Sequence, residues 1–227
     1  MNIEVEEGKP IPKEMRDALK ALGFGEATPG ALVTFPLAAE RRREALKNPQ
    51  PGQLMPDGTV YLGKYSPKDR DGNSLSKTFN VFAAPEDLPE PMKYVDAVKH
   101  IAKLKDWHGY DGTNYAADKE LYAAIKSGSY NGGWIIPTSD ILRGNDVDGK
   151  ATTPDNLYAH KDTGALKGTF RMAASSSFGW LDWYWSFTEL RIYSANVAFV
   201  RFSNGNEVWG PKDSGRMSCR PVRLVPA

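Results

Sequence analysis

Three histidines, His100, His108 and His160, are the chain's imidazoles, and none stands at the short spacing from a second His or Cys that holds zinc. His108 lies close to Asp111, a pairing that reads as a surface hydrogen bond. Asp69-Arg70-Asp71-Gly72-Asn73 and Asn145-Asp146-Val147-Asp148-Gly149 resemble fragments of calcium loops. Neither continues to the closing glutamate of the twelve-residue loop, and Asp, Asn and Gly make polar turns unaided. Cys219, the chain's single cysteine, sits between Ser218 and Arg220, where a guanidinium could lower a thiol pKa. In an apparent terminal strand, a small buried hydrophobe is the commoner role. A Gly-x-Ser-x-Gly elbow, a phosphate loop and a dinucleotide fingerprint are all missing. The residues lend an enzyme no positive support, and no cofactor or metal is expected.

What remains is the chemistry of contact. Residues 180–227 carry four of the six tryptophans and follow an uneven pattern. Trp183-Tyr184-Trp185-Ser186, Thr188-Glu189, Phe202-Ser203-Asn204-Gly205 and Arg220-Pro221-Val222-Arg223 read as fixed scaffold. Between them stand Phe187, Leu190-Arg191-Ile192-Tyr193, Phe199, Arg201 and the run Asn206 to Pro211, which share no chemistry. A strand that needs only to fold would alternate core and polar positions. Trp183 and Trp185 read as core, whereas Tyr193, Phe199 and Trp209 read as exposed anchors. Tyr, Trp and Arg supply most of the binding energy at protein interfaces and reach large contact areas with little rotamer loss. A base-stacking platform would also need a cationic groove, for which Arg191 and Arg201 are thin support.

The elements that must position these residues are legible upstream. Pro12 to Leu22 and Leu37 to Lys47 read as helices, the Glu40-Arg41-Arg42-Arg43-Glu44 run being a solvated face. Pro49, Pro51 and Gly52 break the chain, dividing a helical appendage, 1–53, from a main domain, 54–227. Val60 to Tyr65 and Thr78 to Ala83 read as strands joined through the Asp69–Asn73 turn. Met92 to Lys105 reads as a helix with Tyr94, Ala97, Val98, Ile101 and Ala102 on its buried face. A second helix runs over Ala116 to Ser127, with Ala117, Leu121, Ala124 and Ile125 inward and Gly128 ending it. Thr138 or Ser139 can cap a short third helix through Leu142. Gly144 to Asp155 reads as a polar loop, Ser175-Ser176-Ser177 has no evident place, and the remainder reads as strands and turns. The class is α+β.

The totals set limits. At 227 residues the chain can bury a substantial core. A formal net charge of +1 supplies no global field for nucleic acid or acidic lipid. One cysteine forbids an intrachain disulfide. The acidic start, Met1 to Glu7, has no apolar signal region, and no run approaches the ~18 apolar residues of a membrane helix.

Trp183-Tyr184-Trp185-Ser186-Phe187-Thr188-Glu189 resembles a family segment, "WYWSSTE", found in the variable proteins of diversity-generating retroelements. Phe202-Ser203-Asn204-Gly205 resembles that family's "FSDG" turn, and Arg216-Met217-Ser218-Cys219-Arg220-Pro221-Val222-Arg223 its closing "RLSCRPVR". Met55-Pro56-Asp57-Gly58-Thr59-Val60-Tyr61 is similar to "MPDGTVYAG", and Gly133-Trp134-Ile135-Ile136-Pro137-Thr138 to "WRVPT". Gly164-Ala165-Leu166-Lys167-Gly168-Thr169-Phe170 resembles a further segment of that family. The resemblance spans about residues 54–225.

The resemblance implies a C-type-lectin fold related to formylglycine-generating enzymes, with two main helices and a twisted antiparallel sheet. In that family an error-prone reverse transcriptase rewrites adenine-containing codons at the 3′ end of the gene. The positions matching diversified sites, within a variable region of about 180–223, are Phe187, Leu190, Arg191, Ile192, Tyr193, Asn196, Phe199, Arg201, Asn206, Trp209, Gly210, Pro211 and Ser214. The related enzymes use a cysteine pair that this chain lacks, and the calcium-binding motifs of sugar-binding lectins are missing. The expectation is a non-enzymatic protein whose variable surface binds a protein, or less readily a glycan, with neither nucleic-acid binding nor membrane insertion. Its expected place is a virion surface, with the cytoplasm as alternative. The rival readings are an enzyme related to formylglycine-generating enzymes and a structural virion component.

Overall fold

β-branched and aromatic residues build the first hairpin: β1 (Val60–Tyr65) pairs antiparallel with β2 (Phe79–Ala83), close to the expected strands. A computed structural model describes residues 47–69, 71, 73–104, 118–130, 132–144, 155–172 and 181–227. The helix expected at 12–22, nearly all of that at 37–47, and His108, Asp111, the Asn145–Gly149 turn, Ser175–Ser177 and Trp180 lie outside these residues. The chain divides at Asn48/Pro49, and Pro49–Ala227 forms one compact unit. That division falls ahead of the expected 53/54. Gly52 and Gln53 already pair with Tyr61, the Gly52 amide donating to the Tyr61 carbonyl at 2.7 Å.

Helix α1 (Tyr94–Ile101) buries Tyr94, Ala97 and Ile101, as the 3.6-residue period requires. It ends before Ala102, which is therefore exposed rather than part of the buried face. Helix α2 (Asp118–Ser127) buries Leu121, Ala124 and Ile125 and stops at Gly128, whose φ of 81° is the left-handed terminator expected there. After β3 (Trp134–Ile135), α3 (Ser139–Arg143) starts behind Thr138, which occupies the N-cap position without a side-chain capping bond. Helix α4 (Leu157–His160) and a 3₁₀ turn (Gly164–Leu166) occupy a stretch read as strands and turns. The Asn156 side chain accepts from the Ala159 amide at 2.8 Å and so nucleates α4.

The last quarter supplies β4 (Trp183–Leu190), β5 (Tyr193–Arg201), β6 (Glu207–Pro211) and β7 (Val222–Pro226). They do not form one sheet. β1-β2-β7-β3 is a four-stranded antiparallel sheet in that order, and β4-β5-β6 is a separate three-stranded one. The architecture is α+β, with four α-helices and two antiparallel sheets among the described residues.

Residues 217–221 lead from the second sheet to the first. Ser218 donates its amide to the Trp183 carbonyl at 2.8 Å and accepts from the Trp185 amide at 3.0 Å. Two residues on, Arg220 is fully buried. Its Nε meets Asp87 Oδ1 at 2.7 Å, its Nη groups reach the carbonyls of Ala84, Pro85 and Thr169, and its guanidinium lies 4.1 Å from the Phe170 ring centre. Tyr184 donates to the other Asp87 oxygen at 2.5 Å. Burial, and then the Asp87 charge, push the Tyr184 phenol far above its ordinary range, so it stays a donor. A charge buried this deeply persists because nearly every donor and acceptor is matched.

Candidate functional site

β4 and β5 form a stiff base for the predicted variable residues because both of their faces are covered. Tyr184, Trp185, Ser186, Phe187, Thr188 and Glu189 are buried in succession, as are Val197, Ala198, Phe199 and Val200. Trp185 stacks edge-on against Tyr94, centroids 5.6 Å apart, and donates Nε1 to the Met92 carbonyl at 2.8 Å. Burying such a side chain contributes about 1.5–3 kcal/mol, so this base resists rearrangement. The core reading of Trp185 holds, and Trp183 is half-buried.

The ladder fails at the hairpin end. Glu189 pairs with Val197, but the next pair is Leu190 with Tyr193, so Ser194 to Asn196 form a bulge with no directly paired residue on β4. Arg191, Ile192, Tyr193, Ser194 and Ala195 are exposed in succession. Ile192 is 91% and Tyr193 58% accessible. Asn196 stands opposite Pro211, the exposed end of β6, while Ser214 donates its amide to the Pro211 carbonyl at 3.0 Å. Leu190, Arg191, Ile192, Tyr193, Asn196, Pro211 and Ser214 therefore share one end of the sheet.

Arg201 and Asn206 lie at the opposite end, joined by a 2.8 Å bond from the Arg201 amide to the Asn206 carbonyl. Arg201 is committed to structure. Its Nε donates to Asp182 Oδ2 at 2.9 Å, and its guanidinium lies 5.8 Å from the Trp183 ring centre. Asp182 is fully buried, accepts also from Ser203 Oγ at 2.6 Å, and its Oδ1 meets no partner among the described residues. The Phe202–Gly205 turn beside it is equally constrained. Gly205 has φ 73°, and a Cβ there would come within 2.8 Å of the Tyr158 ring.

Three predicted positions do not present side chains to a ligand. Phe187 is 0% and Phe199 5% accessible. Phe199, expected as an exposed anchor, packs edge-on against Trp183 and Trp185, at 5.3 and 5.9 Å. A single strand's pattern could not reveal this, because β4 and β5 are buried on both faces and lose the alternation that marks a half-exposed strand. Gly210 is buried as well, and a Cβ at that position would lie 2.8 Å from Phe199 Cε1. Trp209, opposite Ala198 on edge strand β6, is half-buried. Val208, 42% accessible beside it, lies in the Asn206–Pro211 run but outside the positions matched to diversified sites, and sequence reading missed the exposed Ser194 and Ala195. A hairpin with a bulge next to its turn would have flagged the latter two.

Of the groups considered for catalysis or metal binding, Cys219, His160 and Asp69 make contacts within the fold. Cys219 is fully buried, and burial, reinforced by the Asp87 charge, drives its thiol pKa well up in spite of Arg220. It packs as a small hydrophobe, as its sequence context suggested. His160 Nε2 lies 3.3 Å from Asp155 Oδ1. Asp69 closes its own turn, Oδ1 accepting from the amides of Asp71 at 3.0 Å and Asn73 at 2.9 Å. No group of three His, Cys, Asp or Glu side chains converges as a metal site would among the described residues. Among those residues no helix is long and apolar enough to cross a membrane.

The site therefore offers a projecting apolar and cationic tip on a rigid double-covered hairpin. Such a tip can exclude water from a complementary surface. No protein-family model matches the chain, and no curated protein matches its sequence.

Proposed function

We propose that this is a ligand-binding protein whose β4–β5 hairpin end is the recognition surface, diversified by a retroelement and carried on a C-type-lectin-like domain. One observation carries the reading. The predicted variable run Leu190–Tyr193 coincides with the place where the ladder breaks and Arg191 to Ala195 emerge together into solvent. Exposed positions of this kind accept substitution within about ±0.5 kcal/mol. A surface can therefore change specificity there without unfolding its support.

The recognised ligand is a protein. Ile192 at the apex is apolar and convex, which suits a concave apolar pocket better than the hydrogen-bonding surface of a glycan. Arg191 and Tyr193 beside it are residue types enriched at interface hot spots. The site recruits no nucleic acid, and a virion surface is the setting in which such a tip would meet its ligand.

The test is the DNA of the gene's 3′ end and of the region downstream. The expected result is a near-copy of the segment encoding residues 180–223, differing almost solely at adenines, with a reverse transcriptase gene nearby. Adenine differences should concentrate at the codons for Leu190–Tyr193, Asn196, Pro211 and Ser214. Finding neither repeat nor reverse transcriptase would refute the diversified reading.

A further inference from the structure

On its β4 side the exposed run is paired through Leu190 and Tyr193 alone. Between Glu189/Val197 and Leu190/Tyr193 the register shifts, so β4 offers no directly paired residue to Ser194, Ala195 or Asn196. A segment unsupported on its β4 side samples more conformations, and ordering it costs affinity at every binding event. Support comes instead from the β6 side, where Asn196 is paired with Pro211. The Lys212 amide donates to the Ala195 carbonyl at 3.0 Å. The same residue's Nζ meets Glu189 Oε1 at 2.5 Å and lies 5.3 Å from the Tyr94 ring centre. Glu189 is 3% accessible, at the last buried position of β4 before the exposed run.

Lys212 thus touches three separate pieces: the bulge of β5, the end of β4 and helix α1. Through Tyr94 it reaches Trp185, which stacks in turn on Phe199. It stands between Pro211 and Ser214, two predicted variable positions, yet its own side chain is turned into the scaffold. A single cationic stem that ends on a buried carboxylate gives one geometry, whereas an apolar residue in its place would remove that ion pair.

We infer that Lys212, acting through Glu189, is a positioning residue that holds the Arg191–Ala195 tip in one conformation for its ligand. The inference rests on the recognition role given to that tip. Because diversification would alter the tip and spare this clip, each variant would be presented in the same pre-ordered frame.

Backbone ¹⁵N relaxation on the full chain, wild type and Lys212→Met, tests the clip without a ligand. In the wild type the amides of Arg191–Ala195 should show order parameters of about 0.85, and in the variant these should fall below about 0.6. Strands β1, β2 and β7 should keep theirs. Trypsin supplies a second reading, with cleavage after Arg191 accelerating about tenfold or more in the variant. Should Lys212→Met fail to fold because Glu189 is left buried and charged, the pair Glu189→Gln with Lys212→Met removes both charges and is read in the same way. Unchanged order and unchanged cleavage would overturn the clip, as would loosening of equal size across all strands. These readouts are independent of what the tip binds. A loosened tip in a gene without an adenine-variant repeat would leave the clip standing and remove the diversified reading.

Discussion

Phe199 and Gly210 form the most discriminating pair in the sheet, because sequence reading assigns both to the variable surface and the structure buries both. Replacing Phe199 by Ala removes a ring held between Trp183 and Trp185. Truncating a core Phe costs about 3–5 kcal/mol through lost transfer energy and the cavity left behind. In a unit the size of Pro49–Ala227, each kcal/mol moves Tm by about 2–4 °C, so a loss of about 6–20 °C is expected. Gly210→Ala places a methyl 2.8 Å from Phe199 Cε1, and the ring cannot swing away because tryptophans flank it. Overpacking of this kind costs about 1–3 kcal/mol. The two changes should not add. Once Phe199 is Ala, the new methyl at 210 enters the vacated space, and the double variant should be no less stable than Phe199→Ala alone. Urea unfolding of the four proteins closes the cycle, with an expected coupling of about 1–3 kcal/mol. Ile192→Ala and Tyr193→Ala in the same assay should each stay within about 0.5 kcal/mol of wild type. Loss of less than about 1 kcal/mol for Phe199→Ala, or an equal Gly210→Ala penalty in both backgrounds, would refute the double-covered hairpin.

Further consequences are open to measurement. Ile192→Ala and Tyr193→Ala, neutral for stability, should each weaken binding of a cognate protein by about tenfold or more in calorimetry, the cost of losing a buried anchor being ~2 kcal/mol. Arg220→Ala leaves Asp87 buried with Tyr184 but no counter-charge, and a loss of about 3–5 kcal/mol in chemical denaturation is expected. Burial tends to raise the Asp57 pKa, but bonds from Thr59 and the Arg223 charge outweigh it and hold the carboxyl below its usual 3.8. Its stabilising effect is accordingly full above about pH 4 and fades as pH falls through the lowered folded-state value. Asp57→Asn should lower Tm at pH 7, and the gap from wild type should close in acid thermal scans. A gap unchanged at pH 2 would overturn that assignment.

Much of the fold is visible in the chain because it arises from local physics. The 3.6-residue period of Tyr94, Ala97 and Ile101 marks α1, and Gly128 ends α2 because few other residues accept φ near 81°. β1 and β2 follow from their β-branched and aromatic content. Helix α4 escaped because its four residues are too few for a period, and its single signal is the capping Asn156. The division of the strands into two sheets was equally hidden. Nothing in the β7 residues indicates that they lie between β2 and β3 rather than beside β6.

The candidate site divides along the same line. Composition and interleaving alone select residues 180–227 and name Leu190–Tyr193 within them, because residue types without shared chemistry are a property of the string. Whether each side chain faces solvent is a property of what packs over it from distant segments. Met92 and Tyr94 cover Trp185, Pro137 receives the Phe187 amide, and Trp183 and Trp185 enclose Phe199. Those contacts join residues far apart in the chain, so only the tertiary structure could decide that Phe187, Phe199 and Gly210 belong to the support, whereas Ile192 and Tyr193 are already legible in the sequence as surface.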